Sequence, residues 1–152
     1  MPKIDIDKVP VDVATGYPEQ FRNVIEGRSR KRLARAAGLT QFGVNLCTLE
    51  PGAQSSQRHW HENEDELVYV LSGEVVLKED EGETVLRAGE AAAWKAGVTN
   101  GHTLINRSSH DAIVMEIGTC LPTERAYYSD IDMKVERDEK GSRYTRKNGE
   151  PY

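Results

Sequence analysis

An all-β chain folded as a single sandwich or barrel is predicted by three features of this sequence. Short segments alternate or run apolar, glycine-centred turns separate them, and no stretch requires a helix longer than a turn or two. Residues 1–38 are mixed in character: Lys3-Ile4-Asp5-Ile6 alternates like an edge strand, Pro10 and Gly16-Tyr17-Pro18 break it, and a basic run follows from Arg28 to Arg35. The pattern changes at Phe42. Segments 42–49, 57–61, 66–71, 75–79, 84–87, 91–95, 102–106 and 112–117 read as strands. The punctuation between them is Pro51-Gly52, Ser72-Gly73, Glu81-Gly82, Ala88-Gly89, Ala96-Gly97 and Asn100-Gly101. Ser72-Gly73, set between Val68-Tyr69-Val70-Leu71 and Val75-Val76-Leu77, reads as a tight hairpin return.

The expected organisation is therefore an N-terminal extension over 1–38, a barrel core over 39–121 and a tail over 122–152. The tail is polar and rich in turn formers. Yet Tyr127, Tyr128, Ile131, Met133, Val135, Tyr144 and Tyr152 recur through it, so it is expected to wrap the barrel or a neighbouring subunit.

A chain of 152 residues has the size of one ordinary domain. With 25 acidic against 20 basic residues and a net charge of −5, its surface offers no general attraction to nucleic acid or to an anionic membrane. Residues 30–41, RKRLARAAGLTQ, resemble the opening of a helix-turn-helix, but too few residues precede the first core strand to house a recognition helix and its supports. Cys47 and Cys120 form no disulfide framework. With no signal peptide and no apolar run approaching membrane length, a cytoplasmic location with reduced thiols is expected.

The chemistry concentrates in Gln57–Gly73, QRHWHENEDELVYVLSG. In an extended strand, side chains two apart share a face, so His59 and His61 converge while Trp60 faces the other way. Glu66 opens the next strand on the face of Val68 and Val70, with Asp65 as the fallback carboxylate. His102 begins a further strand and supplies a fourth ligand. Two or three imidazoles with a carboxylate suit one divalent transition metal, Zn, Mn, Fe, Co or Ni, better than Ca or Mg, which prefer all-oxygen shells. Three of the chain's four histidines fall in this group; His110 sits in a Ser-rich turn. Trp60 and Trp94 read as packing residues. Lys95 and Glu116 are the candidate groups to bind an anionic substrate or to move a proton, and Arg58 and Arg107 are further candidates for pocket polarity.

Gly52, His59, His61, Glu66 and Gly73 resemble the first conserved motif of the cupins. Gly89, Gly97, His102 and Asn106 resemble the second more loosely: Lys95 stands where a proline is usual, and the gap from Gly97 to His102 is long. Keeping the His-to-Asn spacing favours His102 over Asn100 as the ligand, with a short insertion at an Asn100-Gly101 turn. The resemblance implies a jelly-roll β-barrel. It also extends to small single-domain cupins described as sugar-phosphate isomerases, which implies Lewis-acid chemistry on a small oxygenated or anionic metabolite. An Fe-dependent dioxygenase and a non-catalytic small-ligand binding or sensing module are the alternative readings. A homodimer is expected, with a small molecule as the other partner.

Overall fold

The structure, a computed structural model, describes residues 3–152. Thirteen strands carry it: β1 (Val11–Asp12), β2 (Arg28–Arg32), β3 (Phe42–Leu49), β4 (His59–His61), β5 (Glu66–Ser72), β6 (Glu74–Glu79), β7 (Gly82–Arg87), β8 (Ala91–Trp94), β9 (Thr103–Ile105), β10 (Ala112–Thr119), β11 (Glu124–Tyr128), β12 (Lys134–Asp138) and β13 (Gly141–Thr145). Among the described residues, helix is confined to short 3₁₀ turns at Ile6–Lys8 and Glu19–Ile25 and to one turn of α-helix, α1 (Leu33–Ala36). The expected edge strand at Lys3–Ile6 is not formed. There the chain turns, with Lys8 N–H donating to the Asp5 carbonyl at 3.1 Å, and the edge position goes to β1. The helix-turn-helix-like stretch is likewise β2 followed by α1.

A six-stranded antiparallel sheet runs in the order β1-β2-β3-β10-β5-β8. Facing it are a three-stranded sheet, β7-β6-β9, and a four-stranded sheet, β13-β12-β11-β4. A bridge between His59 and His102 joins these two, with backbone bonds of 3.1 and 2.9 Å. Cys47, Leu49, Val68, Val70, Ala112 and Val114 from the large sheet pack against Val75, Leu77, Leu86 and Leu104 from the facing layer. Alternation along each strand places these residues inward. This two-layered antiparallel arrangement is the jelly roll.

Ser72-Gly73 is not a hairpin. Strand β5 pairs with β10 and β8, whereas β6 pairs with β7 and β9, so the chain turns a corner from one sheet to the other. Gly73 makes the corner possible: its φ is 75°, and an added Cβ would lie 2.9 Å from the Asp111 carbonyl oxygen.

The segments flanking the barrel core are built into it. β2 pairs with β3, and β11 pairs with β4. A second apolar cluster of Tyr17, Ile25, Tyr128 and Met133 binds the N-terminal turns to the C-terminal strands, with Tyr17 edge-on to both Tyr128 and Tyr144 at 5.6 Å.

Candidate metal centre

Strand β4 sends His59 and His61 inward while Trp60 stacks outside on Tyr127, ring centroids 4.6 Å apart. Glu66 enters from the first residue of β5, and His102 from the residue before β9. The four meet. Three Nε2 atoms face Glu66 Oε2, at 3.0 Å for His102, 3.2 Å for His61 and 3.9 Å for His59. The Nε2 atoms of His59 and His61 are 3.2 Å apart.

Each ring is held differently. His59 Nδ1 lies 2.9 Å from the Gln57 carbonyl, an acceptor only, so Nδ1 carries the proton and Nε2 presents its lone pair to the cluster. His61 Nδ1 faces Glu124 Oε1 at 3.4 Å. His102 Nδ1 is buried with no hydrogen-bond partner; its ring instead stacks on Trp94, with centroids 3.6 Å apart and planes 9° from parallel. Trp94 is itself fixed by donating Nε1–H to Glu79 Oε1 at 2.7 Å.

Burial, together with the charges of His102 and His61, pushes His59 down to about 3. For Glu66 burial works toward a higher pKa, but hydrogen bonds from His102 and His61 outweigh it and hold the carboxyl well below its usual range. Burial opposes the charged form of His61 as well, yet Glu124 and Glu66 lift it to about 9. A lone pair and a carboxylate aimed at one point repel each other unless a proton or a cation lies between them. Imidazole nitrogens with one carboxylate are a donor set for late divalent metals, and the residues present fit such an ion.

A cavity of about 660 Å³ opens beside the cluster, lined by its four side chains and by Arg30, Arg32, Arg35, Asn45, Glu116 and Arg137. Glu116 on β10 lies opposite Val68 of β5, two residues along from the Gly118–Glu66 pair, and so shares the inward face with Glu66. Arg30 forks onto both oxygens of Glu116 at 2.7 Å, and Asn45 Nδ2 adds a 3.4 Å contact.

The structure places the other sequence candidates around or outside this cavity. Trp94 points inward, so Lys95, next along the chain, is exposed and lines a more open cleft that adjoins the cavity through Glu66, Asp65 and Phe42. Arg58 pairs with Asp80 and Asp130, and Arg107 with Glu83, all outside the cavity. Asp65 is exposed at the cavity edge, accepting Ala96 N–H at 2.8 Å. Asn100 turns to Glu79 and Asp80, not to the cluster.

No hairpin turn exists at Asn100-Gly101. The turn falls at Ala96-Gly97, with Gly97 at φ 79°, and Gly101 instead lets the backbone pass tightly against Ser129. Two residues escaped the sequence reading. Arg30 was legible in principle, because Arg28, Arg30 and Arg32 alternate with period two inside the basic run. Glu124 was not, since only the pairing of β11 with β4 brings it to His61.

A two-layered antiparallel barrel that aims three imidazoles and a carboxylate into its interior defines a class: a jelly roll with a ligating cluster at one end of its core. The chain belongs to the cupin superfamily. Residues 45–118 match the Cupin domain family. Over 99% of its length the chain is similar to a cupin-superfamily sugar phosphate isomerase of Silicibacter pomeroyi, with 47% identity, 96% of that chain covered and a TM-score of 0.97. It is also similar to a protein proposed as a sugar phosphate isomerase in Acidithiobacillus ferrooxidans, at 26% identity, with 78% of this chain and 76% of that one covered and a TM-score of 0.74. A polyketide cyclase of Streptomyces resistomycificus shares the fold at 19% identity, with 86% of this chain and 88% of that one covered and a TM-score of 0.67. No curated protein matches the chain significantly. Among the described residues, no helix is long and apolar enough to cross a membrane.

Proposed function

We propose that His59, His61, Glu66 and His102 hold one divalent transition metal, and that the protein isomerises a small, anionic, oxygenated metabolite of the sugar phosphate class. The observation that carries this reading is the convergence of three Nε2 atoms on Glu66 Oε2 at one end of an arginine-lined cavity. When bound, such an ion supplies Lewis-acid polarisation of a substrate carbonyl or hydroxyl.

The chain's own groups do the rest. Glu116 faces the same cavity and presents a carboxylate that takes a proton from the carbon beside the carbonyl and returns it to the neighbouring carbon. Arg30 and Asn45 fix its orientation. Of the cavity arginines, Arg30 is committed to Glu116, Arg32 to Asp12 and Arg137 to Glu64. Arg35 has no carboxylate partner among the described residues and is the group free to meet a substrate phosphate. The likeness to the Silicibacter pomeroyi protein supports the substrate class.

The test is metal analysis of protein purified without chelators, followed by incubation with aldose and ketose phosphates in deuterium oxide. One metal per chain and deuterium appearing beside the carbonyl are expected, with Glu116→Gln abolishing exchange and Arg35→Gln raising KM. A metal-free protein, or no exchange on any sugar phosphate, overturns the reading.

We also infer a homodimer. The outer face of the large sheet leaves Leu67, Tyr69 and Leu71 of β5 37%, 40% and 42% exposed, an apolar row that a second copy would cover. Light scattering should give twice the 17.0 kDa of one chain.

A further inference from the structure

We infer that Glu124 is a positioning residue for the metal centre: its carboxylate keeps the proton of His61 on Nδ1, so that the Nε2 lone pair faces the cation. The inference rests on the metal reading proposed above.

Four observations converge on Glu124. Strand β11 runs antiparallel to β4 with Ala126 opposite His61, and Glu124, two residues from Ala126, shares its face. The side chain is 4% exposed, a costly place for a carboxylate without a partner. Its oxygens are pinned by backbone donors, Oε1 by Glu62 N–H at 3.0 Å and Oε2 by Asn63 N–H at 3.1 Å. His61 Nδ1 lies 3.4 Å from Oε1. That contact is long for a hydrogen bond, yet close enough for the carboxylate to bias where the imidazole proton sits.

The three imidazoles therefore have unequal support. A carbonyl backs His59, an aromatic face backs His102, and a carboxylate backs His61. A carboxylate opposite Nδ1 stabilises the Nδ1–H tautomer and makes Nε2 the better electron donor toward a metal. It also gives the C-terminal segment a chemical part: β11 pairs with the strand that carries His59 and His61 and supplies the group that orients one of them.

The experiment measures Co(II) affinity of the full chain by chelator competition and records the visible absorption of the bound ion. Glu124→Gln keeps the shape of the side chain but removes the negative charge that faces Nδ1 and sets an amide N–H against one of the two backbone donors. Its affinity should fall about 10–100-fold, with shifted Co(II) bands and an unchanged circular dichroism spectrum of the metal-free protein. Glu124→Asp, which retains the charge, should recover part of the loss. If Glu124→Gln binds Co(II) as tightly as the wild type with identical bands, the inference is overturned while the metal reading stands. If Glu124→Asp falls as far as Glu124→Gln, the side chain acts by packing and the inference is again overturned. If the wild type takes up no Co(II), both fall.

Discussion

Strands β3, β5 and β10 run the length of the barrel, yet the residues they send inward change character along the way. At one end Leu49, Val70, Ala112 and Val114 are wholly buried and pack against Val75, Leu77 and Leu104. At the other, Asn45, Glu66 and Glu116 face the cavity with the histidines and arginines. The dry end needs no partners beyond shape, because apolar side chains gain from burial alone. The wet end is a set of charges that must each find an opposite. Arg30–Glu116 does so internally, whereas in the His59–His61–Glu66–His102 group three Nε2 atoms crowd one carboxylate oxygen, an arrangement that needs a proton or a metal ion between them. The difference locates stability at one end and ligand demand at the other.

The sharpest way to break that division is His59→Ala with His61→Ala. The double variant should lose its stoichiometric metal entirely, read by elemental analysis. Its metal-free melting temperature near neutral pH should also fall, because His61, which Glu124 and Glu66 lift to about 9, is the cation those two carboxylates share in the metal-free protein. Metal retained at one per chain refutes the site. The opposite change, Leu49→Ala, should lower unfolding free energy by about 3 kcal/mol through lost burial and a cavity, with metal content unchanged. Chemical denaturation of both variants side by side checks whether the two ends are separable.

How much of this was legible in the chain follows the range of the interactions. His59 and His61 share a face because a strand has period two, a property of adjacent residues, and their grouping with Glu66 and His102 could be read from spacing. Gly73 shows the limit. Two apolar runs around Ser-Gly look the same whether the strands pair or cross to the facing sheet, and only the neighbours of β5 and β6 decide it. Lys95 shows a second limit, since strand β8 ends at Trp94 and the inward position is taken by the indole. Asn100-Gly101 carried a turn signal, but the glycine is there for close approach to Ser129, which no local pattern encodes.

The seam between the two ends gives a smaller effect. Arg30→Gln leaves Glu116 almost buried beside Cys47 without its guanidinium, and should cost about 2 kcal/mol, less than a fully buried pair because Arg30 and Glu116 side chains keep 19% and 11% exposure. Restoring the pairing by Arg30→Lys should recover only part, since one ammonium cannot fork onto both oxygens. Equal stability for the Arg30→Gln variant and the parent would mean that the wet end tolerates an unpaired carboxylate and that the contrast drawn above is too strong.

The smallest effect reads the same seam without changing a residue. Cys47 lies between the ends, opposite Arg30 on one side and Val114 on the other, and is 1% exposed. Burial first, and the nearby Glu116 carboxylate second, push its thiol up to about 12 from an ordinary value of 9.0. Thiolate is the reacting form, so raising pH from 7 to 9 leaves Cys47 protonated and inert, whereas exposed Cys120 is open to reagent. Titration of the native chain with a disulfide reagent at pH 8 should therefore release one thiol equivalent quickly, and a second only on unfolding. Two equivalents released together from folded protein would place water and reagent at Cys47, and would extend the wet end past the Arg30–Glu116 pair into what is here the dry core.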